Sequence, residues 1–369
     1  MEEYSLLKKQ LAPSLNWKQA HLSLLSLFII GLIRARSVNL VLVSENFGGF
    51  ALASSHYKRI QRFLSSFSMD YKQIARLIAK WVLPTDKWLL CLDRTNWKFG
   101  QTNINILVLA VAVKGVAIPL FWTMLDKRGN SNTQERKDLM DRFLATFDKE
   151  KIKCLTADRE FKGADWLKYL KEEKIPFCLR IPVNTQVNNR FRNKKLPIKR
   201  LFSLKNGESM VLNSSRKVWG EEVEIACFRS SDDWVIVICN ELPELALQNY
   251  QERWMIETLF QALKGRGFNL EDTHLHKQER ISKLFAVLTL AFCWCYQVGE
   301  WRNSVIPIKT KSHGRLAKSI FRYGVEWLRQ LFNDIRRFET KVHQFIQLIF
   351  RVKPNEKDLL YLFDIKRIN

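Results

Sequence analysis

The sequence contains no CxxC pair, and its seven cysteines are odd in number. Most of them lie in apolar, strand-like runs, where cysteine acts as a small hydrophobic residue. This usage favours a reducing cytosol over a disulfide framework, and it argues against a zinc site. The close pair His274 and His276 has no cysteine or further histidine nearby. We therefore interpret both as surface or DNA-facing residues rather than metal ligands.

The sequence also lacks a secretory signal, because its N-terminus has no apolar core followed by a cleavage site. Long hydrophobic runs are missing as well. Two shorter ones, residues 21–33 and 284–298, are too short to cross a bilayer. We expect both to form buried helices of a cytoplasmic protein.

Acidic residues are few relative to basic ones, 37 against 60, which gives a net charge of +23. The excess is spread along the chain rather than confined to a tail. A basic protein of this kind most often meets nucleic acid and less often an anionic membrane surface. The 369 residues suffice for two or three domains, and a hydrophobic content of 47% allows a sizeable core.

Residues 1–82 predict a helical DNA-binding domain. A short apolar segment at 39–46 is followed by a glycine turn and by a basic helix with an apolar stripe at 54–67. Helix, glycine turn and basic helix form the outline of a helix-turn-helix DNA reader. The expected DNA contacts are Lys58, Arg59 and Arg62. The alternative is a basic amphipathic helix that only covers a core.

Residues 83–300 predict a catalytic domain of mixed α/β class. Three consecutive strands, a helix, a strand, a helix and a strand follow one another, which is the order of a ribonuclease H-like core. These elements are expected at 88–93, 104–113, 116–125, 133–147, 151–158, 163–173 and 176–182. Short alternating runs then predict a β-rich insertion at about 183–240. Residues 301–369 show no strand pattern and predict a helical C-terminal region.

Two of the predicted strands end on an aspartate, Asp93 and Asp158. Ionised carboxylates at the end of an apolar strand need a compensating charge. If both lie side by side in one sheet, and Glu257 faces them from a helix, a divalent cation would remove their repulsion. Oxygen ligands of this kind suit Mg²⁺ or Mn²⁺, and two such ions can clamp a displacement at phosphorus. The alternative is that the aspartates only cap or form salt bridges, with Arg94 and Arg159 as partners.

Glu257 stands in a stretch, residues 250–264, that predicts one helix. On a helix wheel four side chains share one face, at offsets of 3, 7 and 14 from the first: Tyr250, Arg253, Glu257 and Lys264. Trp254 and other apolar residues are expected to dock the helix into a core. A solvated face with helix-stabilising charge pairs is the alternative.

In these positions the sequence resembles the DDE transposases of bacterial cut-and-paste insertion sequences, in the insertion-sequence-four group marked by the YREK signature. The matching residues are Asp93 in CLDRTNWKFG, Asp158 in LTADREF, and Tyr250, Arg253, Glu257 and Lys264 at the signature spacing. The resemblance covers about residues 40–300. It implies a ribonuclease H-like core with a β-rich insertion before the last acid, and helical regions on either side.

The resemblance also implies an activity. Asp93, Asp158 and Glu257 would be catalytic residues that ligate two Mg²⁺ or Mn²⁺ ions. They would cleave double-stranded DNA at the terminal inverted repeats through a hairpin and transfer the 3′-OH into target DNA. A homodimer, with contacts from residues 301–369, would bind the DNA in the bacterial cytoplasm, at the nucleoid.

Further DNA contacts follow from the resemblance. Tyr250, Arg253 and Lys264 would hold phosphates near the cleavage point, which suits their chemistry. Arg180 resembles a family arginine that approaches DNA, and Arg159 adjoins the second aspartate.

Trp234 stands on the strand before the signature helix, where hairpin-forming relatives place a tryptophan that stacks on a flipped base. A strand-edge tryptophan packed in the core is the alternative. Two other functions compete with a transposase: a transposase-derived DNA-binding protein without cleavage activity, and a ribonuclease H-like nuclease without strand transfer. The presence of all three acids and the whole signature favours the transposase.

Overall fold

The computed structural model of the protein describes residues 2–49, 51–188, 195–312 and 314–333. These residues divide into two compact units. One, called the helical unit here, comprises the described parts of Met1–Val82, Phe99–Thr102 and Gln261–Asn369. The other, the sheet unit, comprises the described parts of Leu83–Lys98 and Asn103–Phe260.

The helices that the described residues form differ widely in length. In chain order they are α1 (Glu2–Leu11), α2 (Gln19–Ala35), α3 (Leu40–Glu45), α4 (Ala53–Ser66), α5 (Tyr71–Val82), α6 (Thr133–Leu144), α7 (Ala164–Glu172), α8 (Ala246–Gln251), α9 (Trp254–Leu263), α10 (Gln278–Val305) and α11 (Ile320–Asn333).

The strands lie between α5 and α8. They are β1 (Trp88–Phe99), β2 (Thr102–Val113), β3 (Val116–Met124), β4 (Ile152–Ala157), β5 (Phe177–Ile181), β6 (Gln186–Asn188), β7 (Lys195–Pro197), β8 (Ser209–Val211), β9 (Arg216–Val218), β10 (Glu221–Arg229) and β11 (Trp234–Cys239). The predicted core strands and helices are therefore all present, each within a few residues of its expected bounds except β1.

The helical unit is built around α10. This helix contains the apolar run 284–298 but has 28 residues, so by length and composition alone it could cross a membrane. The helix is longer than the apolar run itself, because helical structure continues beyond both of its ends. Of its most apolar window, 89% is buried inside the protein, as expected of a core helix. The prediction of a buried helix is thus confirmed, and the run at 21–33 likewise lies buried in α2.

Helices α10 and α11 pack with their backbones unusually close. A Cβ atom added to Gly324 would lie 1.8 Å from the carbonyl oxygen of Cys295, and one added to Gly299 would lie 2.0 Å from that of Ile320. Only glycine fits at such an approach, because any side chain would push the backbones apart. The pair α10 and α11 therefore owes its packing to these two residues.

The predicted helix-turn-helix outline is present within the helical unit. The apolar segment at 39–46 forms α3, whose first turn is capped by the side chain of Asn39. A turn with left-handed backbone at Gly48 and Gly49 leads toward α4, the predicted basic helix. On α4, Lys58 and Arg62 are exposed and Arg59 is half-buried. Whether these three residues contact DNA stays a prediction.

The sheet unit is organised by one large mixed sheet, in the order β3-β2-β1-β4-β5-β11-β10-β8, with β9 paired to β10. Strands β1, β4 and β5 are parallel neighbours, and β2 and β3 are antiparallel. The order 3-2-1-4-5, with helices in the crossovers, is that of a ribonuclease H-like core, which confirms the predicted fold class.

Strands from the predicted insertion extend this sheet. Strand β11 pairs antiparallel with β5, and β10 and β8 continue outward from it. Only β6 and β7 form a separate two-stranded ribbon. The insertion is therefore β-rich as predicted, and most of it continues the core sheet.

Strand β1 is longer than predicted, because it runs six residues past Asp93. In that extension Thr95 and Trp97 are buried, whereas Asn96 and Lys98 are exposed. This alternation with a period of two is the pattern of a strand with one face covered. Asp93 consequently lies within a strand rather than at its end.

Candidate active site

The two aspartates lie at equivalent positions of neighbouring parallel strands. In the register of β1 and β4, Leu92 stands opposite Ala157, and the next residue on each chain is an aspartate, Asp93 or Asp158. Both side chains remain partly accessible, at 17% for Asp93 and 30% for Asp158. The expectation that the two residues lie side by side is confirmed, with Asp93 inside β1 and Asp158 directly after the end of β4.

Burial disfavours the charged form of Asp93. Desolvation raises the pKa of its carboxyl to about 6, and the nearby charges of Glu160 and Asp158 add to the rise. The backbone N–H of Arg94, which donates to Asp93 Oδ1 over 2.8 Å, and the guanidinium of Arg253 act in the opposite direction. Asp93 therefore loses its proton only as the pH rises through about 6, unless a further cation helps to remove it.

Glu257 does not lie on one continuous helix with Tyr250. Helix α8 ends at Gln251 and α9 begins at Trp254. Between them the backbone tightens, because the N–H of Arg253 bonds to the carbonyl of Tyr250, and the N–H of Ile256 to that of Arg253, each over 3.0 Å. The prediction of a single helix over 250–264 was wrong. No glycine or proline marks the break, so it comes from tertiary contacts rather than from local propensity.

Those contacts are made by Arg253, which joins two of the three acids. Its Nη1 donates to Asp93 Oδ2 over 3.2 Å, and its Nη2 donates to Glu257 Oε1 over 2.9 Å. The residue is only 4% exposed, and its Nε has no hydrogen-bond partner among the described residues. Although burial alone would lower it, the charges of Tyr250, Asp93 and Asp158 raise the pKa of Arg253 above its ordinary value. A permanently charged guanidinium therefore compensates Asp93 and Glu257.

The third acid, Asp158, is bound by a phenol and by a second arginine. The hydroxyl of Tyr250 donates to Asp158 Oδ1 over 3.0 Å, and Nη1 of Arg180 lies 3.6 Å from the same oxygen. Tyr250 is 5% exposed, and burial raises the pKa of its hydroxyl, so it acts here as a neutral donor. Arg180 also donates to Asp233 in the turn before β11. A chain of contacts thus runs from Asp158 to the extended part of the sheet.

A further ion pair ties the loop after β4 to β1. The guanidinium of Arg94 contacts both carboxylate oxygens of Glu160, at 2.9 and 3.2 Å, and also donates to Asn130. The alternative from the sequence expected Arg94 to form a salt bridge with the neighbouring Asp93. Arg94 pairs with Glu160 instead. Because Arg94 follows Asp93 and Glu160 lies two residues after Asp158, the pair holds the backbones of both aspartates at a fixed spacing.

Trp234 begins β11 beside this network. Asp233 accepts a hydrogen bond from the Trp234 backbone N–H over 2.8 Å, so the contact chain from Asp158 reaches Trp234. Lys199 Nζ and the guanidinium of Arg229 each lie 5.1 Å from the centre of the indole ring. The ring is half-buried rather than packed in the core. It is therefore an accessible aromatic surface flanked by cations.

The remaining predicted site residues have other partners. Lys264 belongs to the helical unit, where its ammonium pairs with Glu271 over 2.8 Å. Arg159 interacts electrostatically with Asp233. Trp254, predicted to dock its helix into a core, is 59% exposed, with the guanidinium of Arg253 5.6 Å from its ring. The prediction was wrong for Trp254, but the helix does dock through other apolar residues of the stretch: Ile256, Leu259 and Leu263 are buried.

The donor set fits a divalent cation in its chemistry. Asp93, Asp158 and Glu257 offer hard carboxylate oxygens. The pKa of Asp93 is raised mainly by burial and further by the charges of Glu160 and Asp158, so a cation would favour its ionised form. Among the described residues, however, no group of three acidic, histidine or cysteine side chains is gathered closely enough to hold one ion. The positive charge between Asp93 and Glu257 is instead supplied by Arg253.

Two features of the site were not found from the sequence. Asp233 had no role assigned, and its only signal in the sequence is its place directly before Trp234. The bond between Arg94 and Glu160 joins residues that are 66 positions apart, and no local sequence pattern predicts such a pair. Both features fix the residues that carry the candidate chemistry rather than supplying it.

Comparison with known proteins gives one match. A family model described as a transposase DDE domain matches residues 84–294, which is more than half of the chain and includes Asp93, Asp158 and Glu257. A search of curated proteins finds no match.

Proposed function

The chain belongs to the transposase DDE domain family and is thus a DDE transposase that acts on DNA; from that premise we propose that it moves its own bacterial insertion sequence by cut and paste. We further assign it to the insertion-sequence-four group with the YREK signature. The observation that carries the proposal is the register of β1 and β4, which sets Asp93, within β1, beside Asp158, directly after β4.

Three residues would hold the cofactor. Asp93, Asp158 and Glu257 carry the oxygen ligands that suit Mg²⁺ or Mn²⁺, and we propose two such ions. When bound, the ions would activate the attacking oxygen and stabilise the leaving oxygen at phosphorus. For this, Asp93 must be ionised, and its raised pKa links that ionisation to the arrival of positive charge.

The basic side chains around the acids would position the DNA. Arg253 and Arg180 already contact the carboxylates and could share their remaining N–H donors with a phosphate. Tyr250 would keep Asp158 oriented and contact the backbone through its hydroxyl oxygen. Lys264, Arg159 and the basic residues of α4 would add further phosphate contacts.

The proposed reaction has four steps. Water attacks a phosphodiester at the transposon end, and the leaving group is a 3′-OH. That hydroxyl attacks the opposite strand, which closes a hairpin and releases the flanking DNA. A second water opens the hairpin, and the regenerated 3′-OH then attacks a target phosphodiester. Trp234 would stack on the base that hairpin formation extrudes, because lost base stacking needs an aromatic replacement.

We propose a homodimer at the two transposon ends, working in the cytoplasm at the nucleoid. The dimer contacts predicted for residues 301–369 fall largely in 334–369, which lies outside the described residues. The net charge of +23 supports a DNA-bound state, since many phosphates can be contacted at once.

The decisive experiment incubates purified protein with Mg²⁺ and a duplex that carries the terminal inverted repeat of the element. Hairpin-ended product that disappears in Asp93→Ala, Asp158→Ala and Glu257→Ala supports the proposal. Binding without cleavage by the wild type would favour a DNA-binding protein that has lost its activity. Nicking without hairpins or joining would favour a nuclease without strand transfer. Short inverted repeats just outside the reading frame would identify the substrate for this assay.

A further inference from the structure

We propose that a cavity in the helical unit is a binding pocket for one unstacked nucleotide of DNA. The cavity has a volume of about 270 Å³ and is lined by α3, α4, the segment before α10 and the start of α10. The lining residues that carry the inference are Tyr57, Gln61, His274, His276, Lys277 and Arg280. The proposal rests on the proposed DNA substrate, and it adds a nucleotide site formed by residues other than the three acids.

The charge of the lining selects for an anion. Lys277 and Arg280 contribute two cations, and no lining residue in the described part of the chain is acidic. The carboxylate closest to them in sequence is Glu279, which bonds to Lys283 over 2.7 Å. That bond lowers the pKa of Glu279 most, and the charges of Arg280 and Lys277 lower it further. Because Glu279 is already bonded to Lys283, the two cations of the lining can also act on a phosphate.

Flat aromatic surfaces of the lining suit a base. Tyr57 supplies a phenol ring, and His274 and His276 supply imidazoles. Both imidazoles are held in place by the turn at Phe99–Thr102. His274 stacks on Phe99 with ring centres 5.1 Å apart, and Nδ1 of His276 lies 3.1 Å from the hydroxyl of Thr102. Rings fixed in this way lose little freedom when a base stacks on them.

The cavity is continuous with the predicted DNA-contacting face of α4. Tyr57 and Gln61, one helical turn apart, line the cavity. Lys58 and Arg62, one position further along, form the adjacent stripe and are exposed. A DNA backbone lying on that stripe would bring its next nucleotide to the cavity, where the Gln61 amide can bond a base edge.

The size of the cavity argues for a single nucleotide. Pockets for drug-sized ligands span about 300–1,000 Å³, so this cavity lies just below that range. An acidic peptide would use the two cations equally well, but it would gain nothing from the fixed imidazoles. The combination of cations, an amide and planar rings therefore favours nucleic acid.

Photocross-linking tests the contact directly. Single-stranded 15-mers with 5-iododeoxyuridine at successive positions are irradiated with the full-length protein without divalent metal, and the linked peptides are identified by mass spectrometry. We expect cross-links at Tyr57 or within residues 274–277. Efficient cross-links that lie only outside the cavity lining would overturn the proposal.

A binding comparison tests the role of the base. We compare a 15-mer with the same backbone carrying abasic positions, and we expect the wild type to bind the complete oligonucleotide at least fivefold more tightly. Tyr57→Leu should lose most of that preference, whereas Tyr57→Phe should keep it. Equal affinity of the wild type for both oligonucleotides would refute base recognition, as would an unchanged preference in a folded Tyr57→Leu.

A matched charge control completes the test. The double variant Lys277→Ala and Arg280→Ala should weaken single-strand binding at least tenfold, whereas Arg76→Ala with Lys80→Ala, which removes two exposed charges from α5, should weaken it less than threefold. If both double variants lost the same affinity, Lys277 and Arg280 would contribute only general positive charge, and the proposed pocket would be refuted. Cleavage at the terminal repeat is measured separately: its absence in the wild type would refute the transposition mechanism and leave the pocket result intact.

Discussion

The three acids of the sheet unit, Asp93, Asp158 and Glu257, and the cations that line the cavity of the helical unit differ in how their charge is compensated. Each of the three carboxylates already contacts a donor of its own chain, Arg253, Arg180 or Tyr250. The cations of the cavity lining, Lys277 and Arg280, have only Glu279 beside them in sequence, and that carboxylate is bonded to Lys283. The first arrangement compensates the carboxylates with donors of the protein itself, whereas the second leaves positive charge available for an anion. The two regions thus match the two ligands that we propose for them, a divalent metal ion and DNA.

The largest effect should follow from removing one acid. Asp158→Ala should lower DNA cleavage by at least about a thousandfold, because the metal loses a ligand that no neighbour replaces. Gel analysis of terminal-repeat cleavage measures this. Binding of the same DNA in EDTA should stay within about threefold of wild type. A large loss of binding would mean that Asp158 serves structure rather than chemistry.

The next effect concerns the arginine that bridges two acids. Arg253→Ala leaves Asp93 and Glu257 uncompensated in a largely buried site, so the free energy of unfolding should fall by about 3 kcal/mol in EDTA. Millimolar Mn²⁺ should restore part of this loss, because the ion replaces the missing charge. Denaturant unfolding with and without Mn²⁺ measures both values. If Mn²⁺ did not reduce the loss of stability in Arg253→Ala, the charge of Arg253 would not substitute for a metal ion at the acids.

The pH dependence of stability comes next. Since the folded-state pKa of Asp93 is raised to about 6, the folded apoprotein binds this proton more tightly than the unfolded chain, and the group destabilises the fold as the pH rises toward and past 6. Asp93→Asn should therefore stabilise the apoprotein at pH 8 by about 2 kcal/mol, and much less at pH 4. A pH-independent difference in the unfolding free energy would contradict the raised pKa.

Trp234→Ala should reduce hairpin formation by about tenfold and leave the first nick nearly unchanged, since the lost stacking matters only when a base is extruded. Time courses of nicked and hairpin product separate the two steps. An equal loss at both steps would indicate a structural role for the indole between Lys199 and Arg229.

The smallest effect should come from the exposed stripe of α4. Removing Lys58 or Arg62 should weaken duplex binding modestly and reduce the slope of log K against log salt by about one for each charge. Fluorescence anisotropy from 50 to 300 mM salt measures the slope. An unchanged slope would place the DNA elsewhere on the protein.

The core of the fold could be predicted because its signals are local. Apolar strands such as β4 and β5 show a short apolar run between turns, and the aspartate at 158 directly follows such a run. The order of strands and helices then determines the sheet, because parallel neighbours need crossover helices. Asp93 and Asp158 could be paired for the same reason.

The details of the site depended on contacts between residues far apart in sequence. The break before Trp254 arises in good helix-forming sequence, because Arg253 is drawn to Asp93, 160 positions away. The cavity joins α4 with the segment before α10, and no motif links the two. Pairing of β11 with β5 also escaped prediction, since the insertion reads as a separate set of strands.

We propose that Asp93, Asp158 and Glu257 together bind the metal ions used for DNA cleavage. Calorimetric titration of Mn²⁺ into the protein bound to terminal-repeat DNA, at pH 7.5, measures this binding. We expect the wild type to bind up to two ions and Asp158→Asn to lose at least tenfold in affinity. Equal Mn²⁺ binding by the wild type and by Asp158→Asn would contradict it.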